Sequence, residues 1–351
     1  MPETQHAVVV GATGVVGRNL IHHLAGLDGW RVTGLSRRRP DLPAGAEWLE
    51  VDLADAANAR ARLAALTDAT HLFYAGYADR PSPAELVAPN LALLVNAVEA
   101  LAAAAPGLRH VNLIEGTKWY GSHLGPFRTP AKEDDARHMP PNFYYDQQDW
   151  LEARQRGKGW SWSALRPHAI CGLALGNPMN ISTVIAVYAA ISKELALPLK
   201  FPGRAGAFDA LYQVTDATHL AKAMVWCATE PACANQAFNL TNGDYFRWRH
   251  LWPKFAEFFA MEAGDPQHVS LTQFMADKAP VWQRITARHG LTPIPFDQVA
   301  AWPFGDFVLG SEYDIMSDTT KARRHGFTEV VDSEEMFLSL FADFRAARVI
   351  P

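Results

Sequence analysis

Cysteine is scarce: Cys171, Cys227 and Cys233 are the only three in 351 residues. They form no CxxC pair and no ligand spacing, which argues against a disulfide framework and a zinc site. The thirteen histidines are scattered, and the one adjacent pair, His22 and His23, would point to different sides of a helix. No metal site is expected. Long apolar runs are also missing, since no stretch reaches the roughly 18 residues of a membrane-spanning helix. The opening MPETQHAVVVGATG has no basic segment followed by an apolar one, which predicts no secretory leader. Neither sign of charge dominates. A net charge of -5 and a sequence pI near 6.2 supply no field for nucleic acid or an anionic membrane. Repeats, low-complexity tracts and long polar linkers are absent as well. The expectation is a cytoplasmic protein of tightly packed lobes. A homodimer is compatible with this pattern.

What is present is an ordinary globular composition, 49% hydrophobic and 20% charged, in a chain long enough to bury a large core. Residues 7–10 form a β-branched apolar run that ends at Gly11, and a helical pattern follows over 16–27. Further strand patterns fall at 31–35, 47–51, 71–75, 110–114, 161–165 and 237–240, with helical stretches at 54–66, 89–104 and 146–154. Apolar strands alternating with helices predict an α/β fold, a Rossmann-type doubly wound parallel sheet. Beyond Arg166 helical patterns dominate, at 181–195 and 215–228, and aromatics become dense around 245–252. The expected division is a nucleotide-binding Rossmann core over 1–175 and a smaller, mainly helical substrate lobe over 176–351. A strand near 236–240 returns from that lobe to the core sheet.

Gly11-Ala12-Thr13-Gly14-Val15-Val16-Gly17 sits between the first strand and the first helix. In that context a G-x-x-G-x-x-G turn lets backbone N–H groups and the positive helix end meet a pyrophosphate, although a tight turn without ligand has the same outline. The second strand distinguishes the two nicotinamide dinucleotides, because an acidic residue there bonds the ribose 2′-OH of NAD. This chain has Ser36-Arg37-Arg38-Arg39 instead. A hydroxyl and guanidiniums suit the 2′-phosphate of NADP, and a solvated basic turn is the plainer alternative. Asp52 and Leu53, after the third strand, are placed to meet the adenine; Asp52 equally suits a helix N-cap.

Short-chain dehydrogenases ordinarily carry Tyr-x-x-x-Lys on one helix. Here Gln148 follows Tyr144 and Asp149 follows Tyr145 at that spacing. A lysine stands instead in Gly116-Thr117-Lys118-Trp119-Tyr120, at a strand's carboxyl end beside the crevice where cofactors bind. With these motifs, Phe73-Tyr74-Ala75-Gly76-Tyr77, Asn142-Phe143-Tyr144-Tyr145, Leu165-Arg166-Pro167, Phe238-Asn239-Leu240 and Trp302-Pro303-Phe304-Gly305-Asp306, nearly the whole chain resembles the progesterone 5β-reductase/iridoid synthase-like enzymes. These form an atypical branch of the extended short-chain dehydrogenases/reductases. The resemblance implies reduction by NADPH of a carbon–carbon double bond conjugated to a carbonyl. It implies that Tyr144 donates to the enolate oxygen, and that Lys118 binds the nicotinamide ribose and lowers the tyrosine pKa. Ala75, Gly76, Tyr77, Pro167, Ile170, Asn177 and Met179 border the cofactor on this reading. Phe127, Tyr145, Phe208 and Trp302 are candidate walls for a small enone or enal. Glu115 and His168 depart from the residues usual at their places, where a small hydroxyl residue and a glycine are common. Alcohol-forming carbonyl reduction, epimerisation and a non-catalytic NADPH sensor are the competing readings. The missing Tyr-x-x-x-Lys and the arginine pair argue against epimerisation, and the retained Tyr144 and Lys118 argue against a mere sensor.

Overall fold

The computed structural model describes residues 4–174 and 179–351. Seven parallel strands form the main sheet, in the order β10-β6-β5-β4-β1-β2-β3. They are β1 (Gln5–Val10), β2 (Trp30–Ser36), β3 (Ala46–Glu50), β4 (His71–Tyr74), β5 (His110–Ile114), β6 (Ser161–Arg166) and β10 (Gln236–Asn239). Two-residue strands β7 (Ile170–Cys171), β8 (Leu199–Lys200), β9 (Thr215–Asp216) and β11 (Ala263–Gly264) pair outside it. The central strands are buried along nearly their whole length while the edge strand β3 is not. Burial on both faces explains the unbroken apolar runs.

Helices cover each face. α1 (Val15–Ala25) and α7 (Ala217–Thr229) lie on one, where Leu20, Ile21, Leu220 and Met224 share a core with Val9 and Phe73. α2 (Ala56–Leu63), α3 (Pro83–Ala104) and α4 (Phe143–Gln155) lie on the other, burying Leu63, Val98, Leu101 and Leu151 with Val8 and Leu72. α3 starts earlier than the proline at 89 suggests. Ser82 accepts from the Glu85 N–H while its hydroxyl donates to the Glu85 carboxylate, a side-chain cap with Pro83 in the first turn. Pro89 is thus carried inside the helix. By length and composition α3 is apolar enough to cross a membrane; in this fold its Leu94, Ala97, Val98 and Leu101 are buried.

The lobe is built around α5 (Ile181–Glu194), buried at every residue from Ile181 to Ser192. Around it come α6 (Ala205–Asp209), α8 (Trp248–Phe258), α9 (Leu271–Phe274), α10 (Ala279–His289), α11 (Phe296–Val299), α12 (Trp302–Val308), α13 (Thr320–Arg324) and α14 (Ser333–Ala346). The dense aromatics are its core: Trp248, Trp252, Phe255, Phe337 and Phe341 interlock with ring centroids 5.2–6.4 Å apart. Phe337 is fully buried. Phe337→Ala should therefore cost about 3–5 kcal/mol, read as a lower midpoint in urea unfolding.

The chain runs from β1 to β2 and β3 in one direction along the sheet, then returns to β4, β5, β6 and β10 in the other. The reversal opens a crevice at the carboxyl ends of β1 and β4. At the opposite, amino ends, buried histidines close the strands. His110 shares hydrogen bonds with the hydroxyls of Ser161 and Ser163, at 2.9 and 2.8 Å. Burial pushes the pKa of His71 down to about 4 and that of His110 to about 3. An unfolded chain protonates its histidines near pH 6.5, so the unfolded state binds more protons below that value. Stability should fall as pH drops from about 6.5 toward 4. Urea midpoints measured across that interval check this; a flat profile is the contrary result.

Candidate active site

The crevice floor is the turn from β1 into α1. Gly11 has φ +83°, and a Cβ there would lie 2.5 Å from the Ala75 carbonyl oxygen, so β4 approaches too closely for any side chain. Gly14 caps α1 without a side-chain hydrogen bond, and no acidic residue occupies the first turn. The leading N–H groups and positive helix end stay available to an anion. Val15, Val16 and Gly17 are buried, seating the helix on the sheet. Thr13 is half-buried in the turn.

At the end of β2, Ser36 organises the basic turn. Its hydroxyl donates to the Arg38 carbonyl at 2.6 Å and accepts from the Trp48 indole at 3.0 Å. Arg37 and Arg38 project into solvent. Arg37 lines a basin of about 440 Å³ with Glu50, Val51, Asp52, Asn58 and Arg62. Asp52 is not the cap of α2. That cap is Asp55, whose carboxylate accepts from Ala57 and Asn58, while Asp52 accepts from the Ala54 N–H at 3.0 Å. Leu53 is buried beside it.

Beyond β5 the chain makes a single 3-10 turn, Thr117–Tyr120, which presents Lys118. Lys118 is exposed, yet its ammonium lies 5.6 Å from the centre of the Phe307 ring on α12. The crevice wall strips water from the ammonium and lowers its pKa, with Asp79 opposing. Tyr144 stands in the first turn of α4, and a Cβ built on Gly116 would lie 3.3 Å from its hydroxyl. Among the described residues no hydrogen bond reaches that hydroxyl. Burial pushes its pKa up, and Glu115 and Tyr77 act in the same direction. The expected lowering by Lys118 does not enter: loss of hydration dominates and favours the protonated phenol.

One side chain joins the two residues. Asn142, buried as the N-cap of α4, accepts from the Tyr144 N–H at 3.1 Å and donates to the Lys118 carbonyl at 2.9 Å. His138 also reaches the Lys118 carbonyl, at 3.0 Å. Lysine and tyrosine come from different elements, so this bridge replaces the register that a shared helix would impose.

With this geometry in view, residues 45–351 match the family model of the PRISE-like Rossmann-fold domain. The chain belongs to that family. An (S)-8-oxocitronellyl enol synthase of Camptotheca acuminata is 36% identical, covering 98% of this chain and 93% of that protein. A 3-oxo-Delta(4,5)-steroid 5-beta-reductase of Arabidopsis thaliana is 35% identical with the same coverage, 98% and 93%. A short chain dehydrogenase of Penicillium aethiopicum is 33% identical over 100% of both chains. Among solved structures, the UDP-glucose 4-epimerase of Thermotoga maritima superposes with a TM-score of 0.69 at 15% identity, over 97% of this chain and 99% of that one. That likeness is one of fold. Membership makes this chain an oxidoreductase of the short-chain dehydrogenase/reductase superfamily.

The remaining expected site residues divide. Ala75 and Gly76 are half-buried after β4, and Tyr77 is exposed with its hydroxyl donating to Asp79 at 3.0 Å. Pro167 is buried and its carbonyl accepts from the Thr117 N–H at 3.2 Å; Ile170 lies on β7. Met179 is 44% exposed, and Asn177 lies outside the described residues. Phe127 packs against both the Trp119–Tyr145 cluster and the lobe core, so it stands where the two meet. Phe208 lies 4.9 Å from Phe201, between ring centres. Trp302 is not a free wall: it is buried in the lobe core, 5.6 Å from Phe296 between ring centres. Tyr145 is likewise an anchor. Its hydroxyl donates to the Trp119 carbonyl at 2.6 Å and accepts from the His138 N–H at 3.1 Å. Successive helical residues diverge by about 100°, so only one of two adjacent tyrosines can face the crevice.

The sequence reading missed Phe307, Asn142 and His138. An asparagine directly before an aromatic helix start is a recognisable cap signal; the other two become neighbours of Lys118 only through the tertiary fold. Asn142→Ala should lower stability by about 1 kcal/mol. Asn142→Asp keeps an acceptor for the cap but sets a carboxylate against the Lys118 carbonyl. Chemical denaturation of both variants, with exchange of the Lys118 turn amides, should show the cap loss only in the first and loosening of the turn in both.

Proposed function

We propose that the protein is an NADPH-dependent ene reductase acting on a small enone or enal in a cytoplasmic setting. One observation carries this reading: the Tyr144 phenol, with no hydrogen-bond partner among the described residues, and a strand-end lysine share the crevice and are bridged by Asn142. The names of the enol synthase and steroid reductase relatives support it.

The residues present fit the cofactor. The turn from Gly11 to Gly17 would take the pyrophosphate on an uncapped helix end. Arg37 and Arg38 would hold the 2′-phosphate, with Ser36 shaping their turn. Asp52 and Leu53 would border the adenine, and Ala75, Gly76, Tyr77, Pro167 and Ile170 the inner half. When bound, NADPH supplies a hydride for the β-carbon of the conjugated double bond. The protein's own task is the charge that gathers on the carbonyl oxygen. Tyr144 donates a hydrogen bond to that oxygen and, being protonated, needs no partner to prepare it. Lys118 adds positive potential and holds the ribose, and its place against Phe307 lets the lobe shield the reacting atoms from water. The lobe built around α5 would shape the substrate pocket, with Phe208 on its wall and Phe127 where it meets the core.

Purified protein incubated with NADPH and 2-cyclohexen-1-one should yield cyclohexanone, identified by mass and chromatography. An allylic alcohol would move the assignment to carbonyl reduction, and absence of turnover would overturn it for this substrate class. Tyr144→Phe should lower kcat by a factor on the order of 100 to 1,000. Replacing Arg37 and Arg38 by alanine should raise KM for NADPH by a factor of about 10 or more while leaving KM for NADH nearly unchanged.

A further inference from the structure

Arg166, the last residue of β6, is 1% exposed. Its Nε donates to the Glu115 carboxylate at 2.8 Å, and Nη1 donates to the Tyr120 hydroxyl at 3.0 Å and to the Glu133 carbonyl at 3.2 Å. Nη2 donates to the Gln148 amide oxygen at 3.0 Å, and the guanidinium carbon lies 3.6 Å from the centre of the Trp119 ring. These partners belong to the end of β5, the turn that carries Lys118, the loop that leads to α4, and α4 itself.

A buried ion pair is a poor way merely to fill space. Apolar side chains of similar volume commonly serve stability as well or better. A planar guanidinium offers something else, a rigid fork that fixes the direction of each partner. Here the fork grips the chain on both sides of Lys118, at Glu115 and at Trp119-Tyr120. It also grips Gln148, one turn after Tyr144 and on the same side of α4. Tyr120 passes the restraint to the neighbouring strand, donating to Asn239 at the end of β10 at 2.6 Å. Among the described residues Arg166 bonds neither the Tyr144 hydroxyl nor the Lys118 ammonium; it holds the segments that carry them through Glu115, Trp119, Tyr120 and Gln148.

We propose that Arg166, paired with Glu115, is a positioning residue that holds the Lys118 turn and the Tyr144 helix in one fixed relation. The proposal rests on the reading of Tyr144 and Lys118 as the catalytic pair.

The test compares Arg166→Met, Arg166→Lys, Glu115→Gln and the apolar double variant Glu115→Leu/Arg166→Met with the wild type. Three readouts are taken: NADPH affinity by fluorescence titration, kcat and KM with 2-cyclohexen-1-one, and hydrogen–deuterium exchange resolved by peptide. Positioning predicts that exchange rises in the peptides spanning 116–122 and 142–150 while the β1–α1 peptide stays as in the wild type. It predicts that kcat falls by about tenfold or more while NADPH affinity changes by less than about twofold. Glu115→Gln, whose amide oxygen still accepts, should show the smallest loss. Where Arg166→Met does not fold, the double variant and Arg166→Lys decide. A folded double variant with wild-type kcat and exchange overturns the proposal, and so does a rise in exchange spread evenly over the chain. Should the wild type fail to turn over the enone, the ene reductase reading falls, and the two exchange peptides alone decide whether Arg166 couples the turn to the helix.

Discussion

Arg166 brings a full positive charge to a place where only 1% of its surface meets water, and the neighbouring chain is arranged around that fact. Each N–H it directs inward needs an acceptor, because an unpaired donor at that depth is costly. Glu115, Tyr120, Glu133 and Gln148 supply the acceptors from four separate segments. Satisfying one side chain therefore draws together the ends of β5 and β6, the 3-10 turn and α4. Glu115 keeps its other carboxylate oxygen without a partner among the described residues. Burial pushes its pKa up to about 7 despite Arg166. The pair is thus a geometric device more than a source of stability.

A second restraint works within the crevice. An enzyme with tyrosine and lysine one turn apart on a helix inherits their spacing from the helix itself. This chain has moved the lysine to the end of a strand, so the spacing must be built from tertiary contacts. Asn142 does part of this by capping α4 and bonding the Lys118 carbonyl at once. Tyr145 does another part, since its hydroxyl holds the Trp119 carbonyl and the His138 N–H. The tandem tyrosines divide their labour, one facing the crevice and one pinning the turn opposite.

The sheet was legible because its central strands are buried on both faces and read as apolar runs; β5 and the core of β2 coincide with the sequence pattern. Helix starts were less legible, because a cap is a local hydrogen bond and not a hydrophobic period. Pro89 marked a start by its usual preference, yet the Ser82 cap set it at Pro83. Tyr145 and Trp302 show a different limit. An aromatic beside a site motif reads the same whether it lines a pocket or packs a core, and here partners far away in sequence settled it. Arg166 was visible as part of a motif, but its role depends on contacts 18 to 51 residues distant, which no local pattern encodes.

The electrostatics of the crevice follow from the same rearrangement. A lysine on the tyrosine's own helix would favour the phenolate. Here burial governs Tyr144, and the Glu115 carboxylate disfavours a second negative charge. The phenol is held as a donor, which is the form needed where negative charge develops on a substrate oxygen. Lys118 keeps the surroundings positive while its backbone, rather than its ammonium, is tied to the tyrosine's helix. Asn142 and Arg166 thus hold the segments that carry the two residues, while among the described residues no hydrogen bond occupies the phenol or the ammonium at the point where substrate and cofactor would meet.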